Sequence, residues 1–144
     1  ISMGGCSVLH HIAHNRNPSV KAAVVLLTSP YWEHHLRQTA SLIPEFGKFL
    51  REDLLERVRE VEPAQSLKNI KDLPLLFQAG AVDEITPIAD VQRGFERLQR
   101  LYDHKERLKL VEYDGVGHQC ILEMFEKAYE WLEIHLRKKS CNKE

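Results

Sequence analysis

Three short segments of this chain each set a reactive side chain among small residues that let it project. The first, Ile1-Ser2-Met3-Gly4-Gly5, stands at the very start. It matches the pattern G-x-S-x-G in all but the first glycine, which would fall before Ile1. A serine on a sharp strand-to-helix turn is presented as a nucleophile, and the backbone doubles back so closely that small neighbours are needed. Gly4 is expected to meet that need, and Gly5 to let the following helix approach its surroundings. The N–H groups opening that helix favour a developing oxyanion, with Met3 N–H as the candidate donor. The second segment is Gly80-Ala81-Val82-Asp83-Glu84-Ile85-Thr86-Pro87, and the third is Asp114-Gly115-Val116-Gly117-His118-Gln119. A serine, an acid and a histidine are the parts of an acyl-transfer relay. Histidine takes the serine proton as its oxygen attacks a carbonyl, and the acid holds the imidazole in the right tautomer.

Read singly, each segment is also ordinary: a glycine-rich terminus, a turn whose Asp accepts local backbone bonds, a surface His between glycines. The elements around them argue for the joint reading. Three apolar, β-branched runs read as strands: Val20–Leu27, Leu75–Gln78 and Leu108–Tyr113. The first two are nearly continuously apolar, as in parallel sheets covered on both faces. Helical spacing marks Gly4–His14 (Cys6, Leu9, Ile12, Ala13), Ile88–Tyr102 (Val91, Phe95, Leu98, Leu101) and Ile121–Leu136 (Phe125, Ala128, Tyr129, Leu132, Leu136). Alternating strands and helices imply βαβ units and a mainly parallel sheet flanked by helices. Ser2 opens a helix, and Asp83 and His118 each follow a strand, so all three belong at the C-terminal edge of that sheet. Asp83 is preferred to its neighbour Glu84 on its spacing from the strand. Asp90 is assigned to the first turn of the next helix. The long, helix-rich segment Ser29–Pro63, amphipathic near Phe46–Val61, reads as a cap-like insertion over the same edge.

Here the chain resembles the α/β-hydrolase superfamily, in particular its dienelactone-hydrolase and prolyl-oligopeptidase-like esterase branch. The stretches SMGG, AAVVLLTSPYW, LPLLFQAGAVDEITP and LVEYDGVGHQ fall in family order. The resemblance implies one domain over residues 1–144, the C-terminal part of an α/β-hydrolase fold. It implies Ser2 as nucleophile, His118 as general base and Asp83 as the acid, acting on a small-molecule acyl ester without metal or organic cofactor. Tyr31 and Trp32, after the first strand, are candidate walls of the acyl pocket, or else core under the insertion. Two features depart from the pattern. The usual His-Gly after the penultimate strand is Ala79-Gly80. Ile1 is not an initiator Met and the motif begins at once, so the earlier strands, with the loop giving the second oxyanion N–H, are expected upstream as part of the same domain. The alternatives are a prolyl-oligopeptidase-like serine peptidase, which would need a large further domain, and a non-catalytic fragment acting as an interaction module.

The remaining titratable residues carry weaker readings. His10 and His14 are four apart on one helix, a metal-compatible spacing, but with no evident third ligand they read as a solvated stripe. His34 and His35 lie in the insertion and line a pocket or nothing; His104 and His135 read as surface residues of helices. Cys120, two residues from His118, is poorly placed to oppose that imidazole as a rival nucleophile.

Composition agrees with a single globular unit: 144 residues, 43% apolar, 28% charged, net charge −1. That charge gives no reason to expect nucleic acid or an anionic membrane as partner. No apolar run is long enough to span a bilayer. The first residues lack a basic region and an apolar core, so they are no signal peptide. Three cysteines, Cys6, Cys120 and Cys141, are odd in number and irregularly spaced, which suits a reducing, cytoplasmic setting. Arg137-Lys138-Lys139-Ser140-Cys141-Asn142 reads as a solvated tail.

Overall fold

A computed structural model describes residues 1–15 and 17–137. All but the first residue of the basic tail, with Cys141, lies outside that range. Three strands form the sheet: β1 (Ala23–Leu26), β2 (Leu75–Gly80) and β3 (Leu108–Tyr113), in the order β1-β2-β3. Both pairings are parallel, with Ala23 opposite Leu75 and Leu75 opposite Leu108. β1 is shorter than the apolar run Val20–Leu27, because its partner begins only after Pro74, whose carbonyl takes the Ala23 N–H at 2.8 Å. β2 runs two residues beyond Gln78, because Ala79 and Gly80 find partners in Glu112 and Tyr113. All six residues of this central strand are buried, which accounts for its unbroken apolar run.

Alternation along the strands divides the core into two layers. On one face Val25, Leu75, Phe77, Ala79 and Leu108 meet Leu9 and Ile12 of α1 (Met3–His14) and Val91 and Leu98 of α5 (Ile88–Leu101). On the other, Leu26 and Tyr113 meet Met124 of α6 (Leu122–Leu136). Gln78 points to that second face and is fully satisfied there. Its amide donates to Met124 O at 2.9 Å, and its carbonyl accepts the Tyr113 hydroxyl at 2.5 Å.

α6 corrects one expectation. The stripe Phe125, Ala128, Tyr129, Leu132 and Leu136 is not the face that seats on the sheet. Met124 and Trp131 are buried, whereas Phe125, Tyr129 and Leu136 are 49%, 68% and 51% exposed. Apolar residues cover more than half of the helix's circumference, opposite Glu123, Glu126, Lys127, Glu130 and Glu133, so periodicity permits more than one stripe. Met124 turns inward to pack with Leu26, Leu27 and Tyr113.

The segment between β1 and β2 folds as α2 (Trp32–Leu42), the short α3 (Pro44–Gly47) and α4 (Glu52–Val61). α2 buries no residue fully and α4 only Leu55. Arg37 and Arg59 both pair with Glu33, at 2.8 Å each, tying α4 to α2 and holding the Glu33 carboxyl down at about 2. Among the described residues no helix is long and apolar enough to cross a membrane.

Candidate active site

Ser2 occupies the turn before α1 with φ 48° and ψ −124°, a conformation a non-glycine residue rarely adopts. Its N–H donates to Leu26 O at the end of β1, 2.8 Å, which fixes the turn over that strand's C-terminal edge. The close approach expected around the serine falls on Gly5. A Cβ there would stand 2.6 Å from Thr28 Cγ2, whereas one on Gly4 would meet nothing within 4 Å. Gly5 thus lets the helix approach Thr28, as expected, while the space around Gly4 is open among the described residues. Met3 is the first residue of α1, and the N–H groups of a helix's first turn have no partner within the helix.

Asp83 lies in the turn after β2. Its side chain is 1% exposed, and Oδ1 accepts the N–H groups of Ile85 and Thr86 at 2.9 and 2.8 Å. Glu84 beside it is exposed. His118 comes from the loop after β3, and the two loops are laced together by Ala81 N–H to Tyr113 O (3.0 Å) and Val82 N–H to Val116 O (3.1 Å). Gly80 makes that lacing possible. A Cβ there would lie 2.2 Å from Val116 O and 2.6 Å from Gly117 O, so any side chain at position 80 would push the His118 loop away.

These elements bring the three residues into one line. His118 Nδ1 lies 2.8 Å from Asp83 Oδ2, and His118 Nε2 lies 2.9 Å from Ser2 Oγ. A carboxylate only accepts, so Nδ1 carries the hydrogen and Nε2 is the bare nitrogen that accepts the serine hydroxyl proton. The geometry is that of a nucleophile, a base and an orienting acid.

The other candidates lie elsewhere. Tyr31 is buried, with the Arg93 guanidinium 3.6 Å from its ring centre and its hydroxyl accepting from Arg97 at 3.2 Å. Trp32 stacks on His10 at 5.2 Å, and His10 on His14 at 4.2 Å. None of these partners is Ser2, Asp83 or His118, and both residues lie within the Ser29–Pro63 segment itself. The His10–His14 pair is thus part of an aromatic stack and not simply a solvated stripe. Among the described residues no three His, Cys, Asp or Glu side chains cluster as metal ligands. His104 precedes a 3-10 turn, and His135 is half-buried against Trp131 at 4.3 Å. Asp90 takes Arg93 within its own helix at 3.1 Å and also pairs with His34 of the insertion. Cys120 is exposed; Cys6 shares a 3.0 Å hydrogen bond with Thr28, and burial pushes its thiol above the usual range, which keeps it protonated and unreactive. Thr86 is a neighbour that sequence reading passed over, although its place three residues after Asp83 is where such a turn offers an N–H.

A concavity lined by Ile12, Asn15, Lys21, Asn69 and Arg107 opens at the opposite end of the sheet.

A parallel sheet, helices on both faces, and the order serine, acid, histidine at the C-terminal edge define the C-terminal portion of an α/β-hydrolase fold, which this chain adopts. In sequence it is similar to YitV, a candidate esterase of Bacillus subtilis (strain 168), with 25% identity over 142 residues that cover 94% of this chain and 55% of that protein. Among solved structures it superposes on TT1662 from Thermus thermophilus (TM-score 0.75, 20% identity, 96% of this chain and 53% of that one). It also superposes on the acylaminoacyl peptidase of Pyrococcus horikoshii (TM-score 0.75, 20%, covering 100% and 24%) and on acyl-protein thioesterase 2 of Zea mays (0.58, 20%, covering 95% and 54%). The chain spans about half the length of the curated relative it matches. No protein-family model matches it.

Proposed function

We propose that this chain carries the reacting residues of a serine hydrolase that cleaves carboxylic esters through an acyl-enzyme. The observation that carries the reading is the relay from Ser2 Oγ to His118 Nε2 at 2.9 Å and from His118 Nδ1 to Asp83 Oδ2 at 2.8 Å, on a serine held at positive φ. His118 removes the serine proton as Oγ attacks the acyl carbonyl, then returns it to the departing alcohol. Met3 N–H at the start of α1 donates to the oxyanion. Water, deprotonated by the same imidazole, frees the acid. The esterase name of the Bacillus relative supports the ester as substrate class. The full-length protein is expected to hydrolyse p-nitrophenyl esters of short acids, and His118→Ala to lower kcat/KM by about 10²–10⁴-fold. A wild-type rate in that variant removes His118 from the mechanism.

The likeness to an acylaminoacyl peptidase supports a second reading, a peptidase of the prolyl-oligopeptidase type. Turnover of acylaminoacyl amides at rates above those of the matching esters would favour it. A protein that takes up no fluorophosphonate at all would favour a non-catalytic interaction module.

We further propose that the domain is completed by an upstream segment that adds a strand against β1. β1 has β2 on one side only, and Ser2 N–H already pairs with Leu26 O on the other. Beside that open edge runs an apolar groove lined by Val8, Ile12, Ala22, Val24 and Leu132. An uncovered apolar edge is a template for aggregation, and a strained turn relaxes when nothing holds its preceding strand. Residues 1–144 alone are therefore expected to bind ANS and to hydrolyse esters negligibly, and the upstream segment to reverse both. An isolated chain that is monomeric, dark to ANS and fully active would sink this part. A cytoplasmic setting belongs to the same proposal, supported by Cys6 and Cys120, which are free thiols among the described residues.

A further inference from the structure

Helix α2 belongs to the insertion, yet its first two turns grip the loop that carries Asp83. Gln38 Nε2 donates to Glu84 O at 3.1 Å. One turn earlier, His35 Nδ1 stands 3.4 Å from Thr86 Oγ1. Thr86 is buried, and its hydroxyl donates to Leu27 O at 3.2 Å. A hydroxyl has one hydrogen to give, so in the His35 contact it is the imidazole that donates, through Nδ1–H. Thr86 in turn gives its backbone N–H to Asp83 Oδ1. Next to His35, His34 pairs with buried Asp90 at the start of α5, which fixes α2 from a second side.

Positions 34, 35 and 38 thus lie on one side of α2 and engage, in order, α5, Thr86 and Glu84. The groups facing His35 are His118, Asp83 and Asp90, together with the Ile85 backbone. Burial first, and then the nearness of His118, hold the His35 imidazole below its usual range, so it stays neutral and does not compete with His118 for Asp83. A second charged imidazole here would repel the imidazolium that forms on His118.

We infer that His35 is a positioning residue of the proposed reaction: through Thr86 it sets the carboxylate of Asp83, and with Gln38 it makes the insertion a clamp on the acid loop. The inference rests on the hydrolase reading for its consequences in rate, and on geometry alone for its consequences in structure. Reaction rate falls steeply when the orienting acid shifts, because a misplacement of about 1 Å costs on the order of 10²-fold.

The test uses the full-length protein and two readouts. The low-field proton resonance of the His118–Asp83 hydrogen bond, identified by its absence in Asp83→Asn, is expected to shift or broaden in His35→Ala and to return in His35→Asn, whose amide can still donate. With p-nitrophenyl acetate, His35→Ala is expected to lower kcat by roughly 10-fold with KM changed less than about twofold. Gln38→Ala, a milder change, should act in the same direction and serves if His35→Ala fails to fold. An unmoved resonance in His35→Ala overturns the clamp whatever the rate does. A protein that shows the resonance and its shift but no ester hydrolysis overturns the hydrolase reading and leaves the clamp standing.

Discussion

Ser2→Ala in the full-length protein is expected to abolish covalent labelling by a fluorophosphonate and to lower ester hydrolysis by about 10⁶-fold, the scale on which a serine hydrolase loses rate with its nucleophile. The size follows from the absence of a substitute. Ser7 is exposed on α1 and spends its hydroxyl on Met3 O at 3.2 Å. Ser29 is buried and accepts the Tyr31 N–H. Cys6 keeps its proton, and no other hydroxyl touches His118 among the described residues. Mass spectrometry of the labelled peptide checks the site. Label that persists in Ser2→Ala, or that is found on Ser7 or Ser29, places the nucleophile elsewhere.

Asp83→Asn is expected to cost about 10⁴-fold in kcat with the fold intact. Oδ1 of Asp83 is occupied by the Ile85 and Thr86 N–H groups, and an asparagine carbonyl can keep both. That leaves the amide nitrogen at the place of Oδ2, 2.8 Å from His118 Nδ1. The amide donates where the carboxylate accepted, so Nδ1 must give up its hydrogen and Nε2 must take it. The imidazole then presents a donor to Ser2 and cannot act as base. A thermal midpoint near wild type beside the lost rate would locate the damage in the tautomer. A rate within tenfold of wild type would remove Asp83 from its role.

The strands and helices were legible because each obeys one strong local rule. β2 is an apolar run bounded by Pro74 and glycine, and α5 opens at Pro87 with a clear stripe. The hydrogen-bonded line of Ser2, His118 and Asp83 was legible because three weak motifs share an order, one opening a helix and two following strands. What failed depends on contacts between distant residues. Nothing in α6 itself says that Met124 and not Phe125 turns inward to meet Leu26, Leu27 and Tyr113 at the ends of β1 and β3. Tyr31 follows β1, and nothing near it in sequence announces that Arg93 and Arg97 of α5 hold its ring and hydroxyl. His35 was noted only as a residue of the insertion, since its contact with Thr86 joins segments fifty-one residues apart.

The backbone angle of Ser2 has a consequence for how this position tolerates change. A side chain at φ 48° costs on the order of 1–3 kcal/mol that glycine would not incur. Substitution by glycine would thus favour the native state while erasing the hydroxyl. Thermostability and the proposed turnover pull this residue in opposite directions, and a screen that rewards only heat resistance would discard the serine.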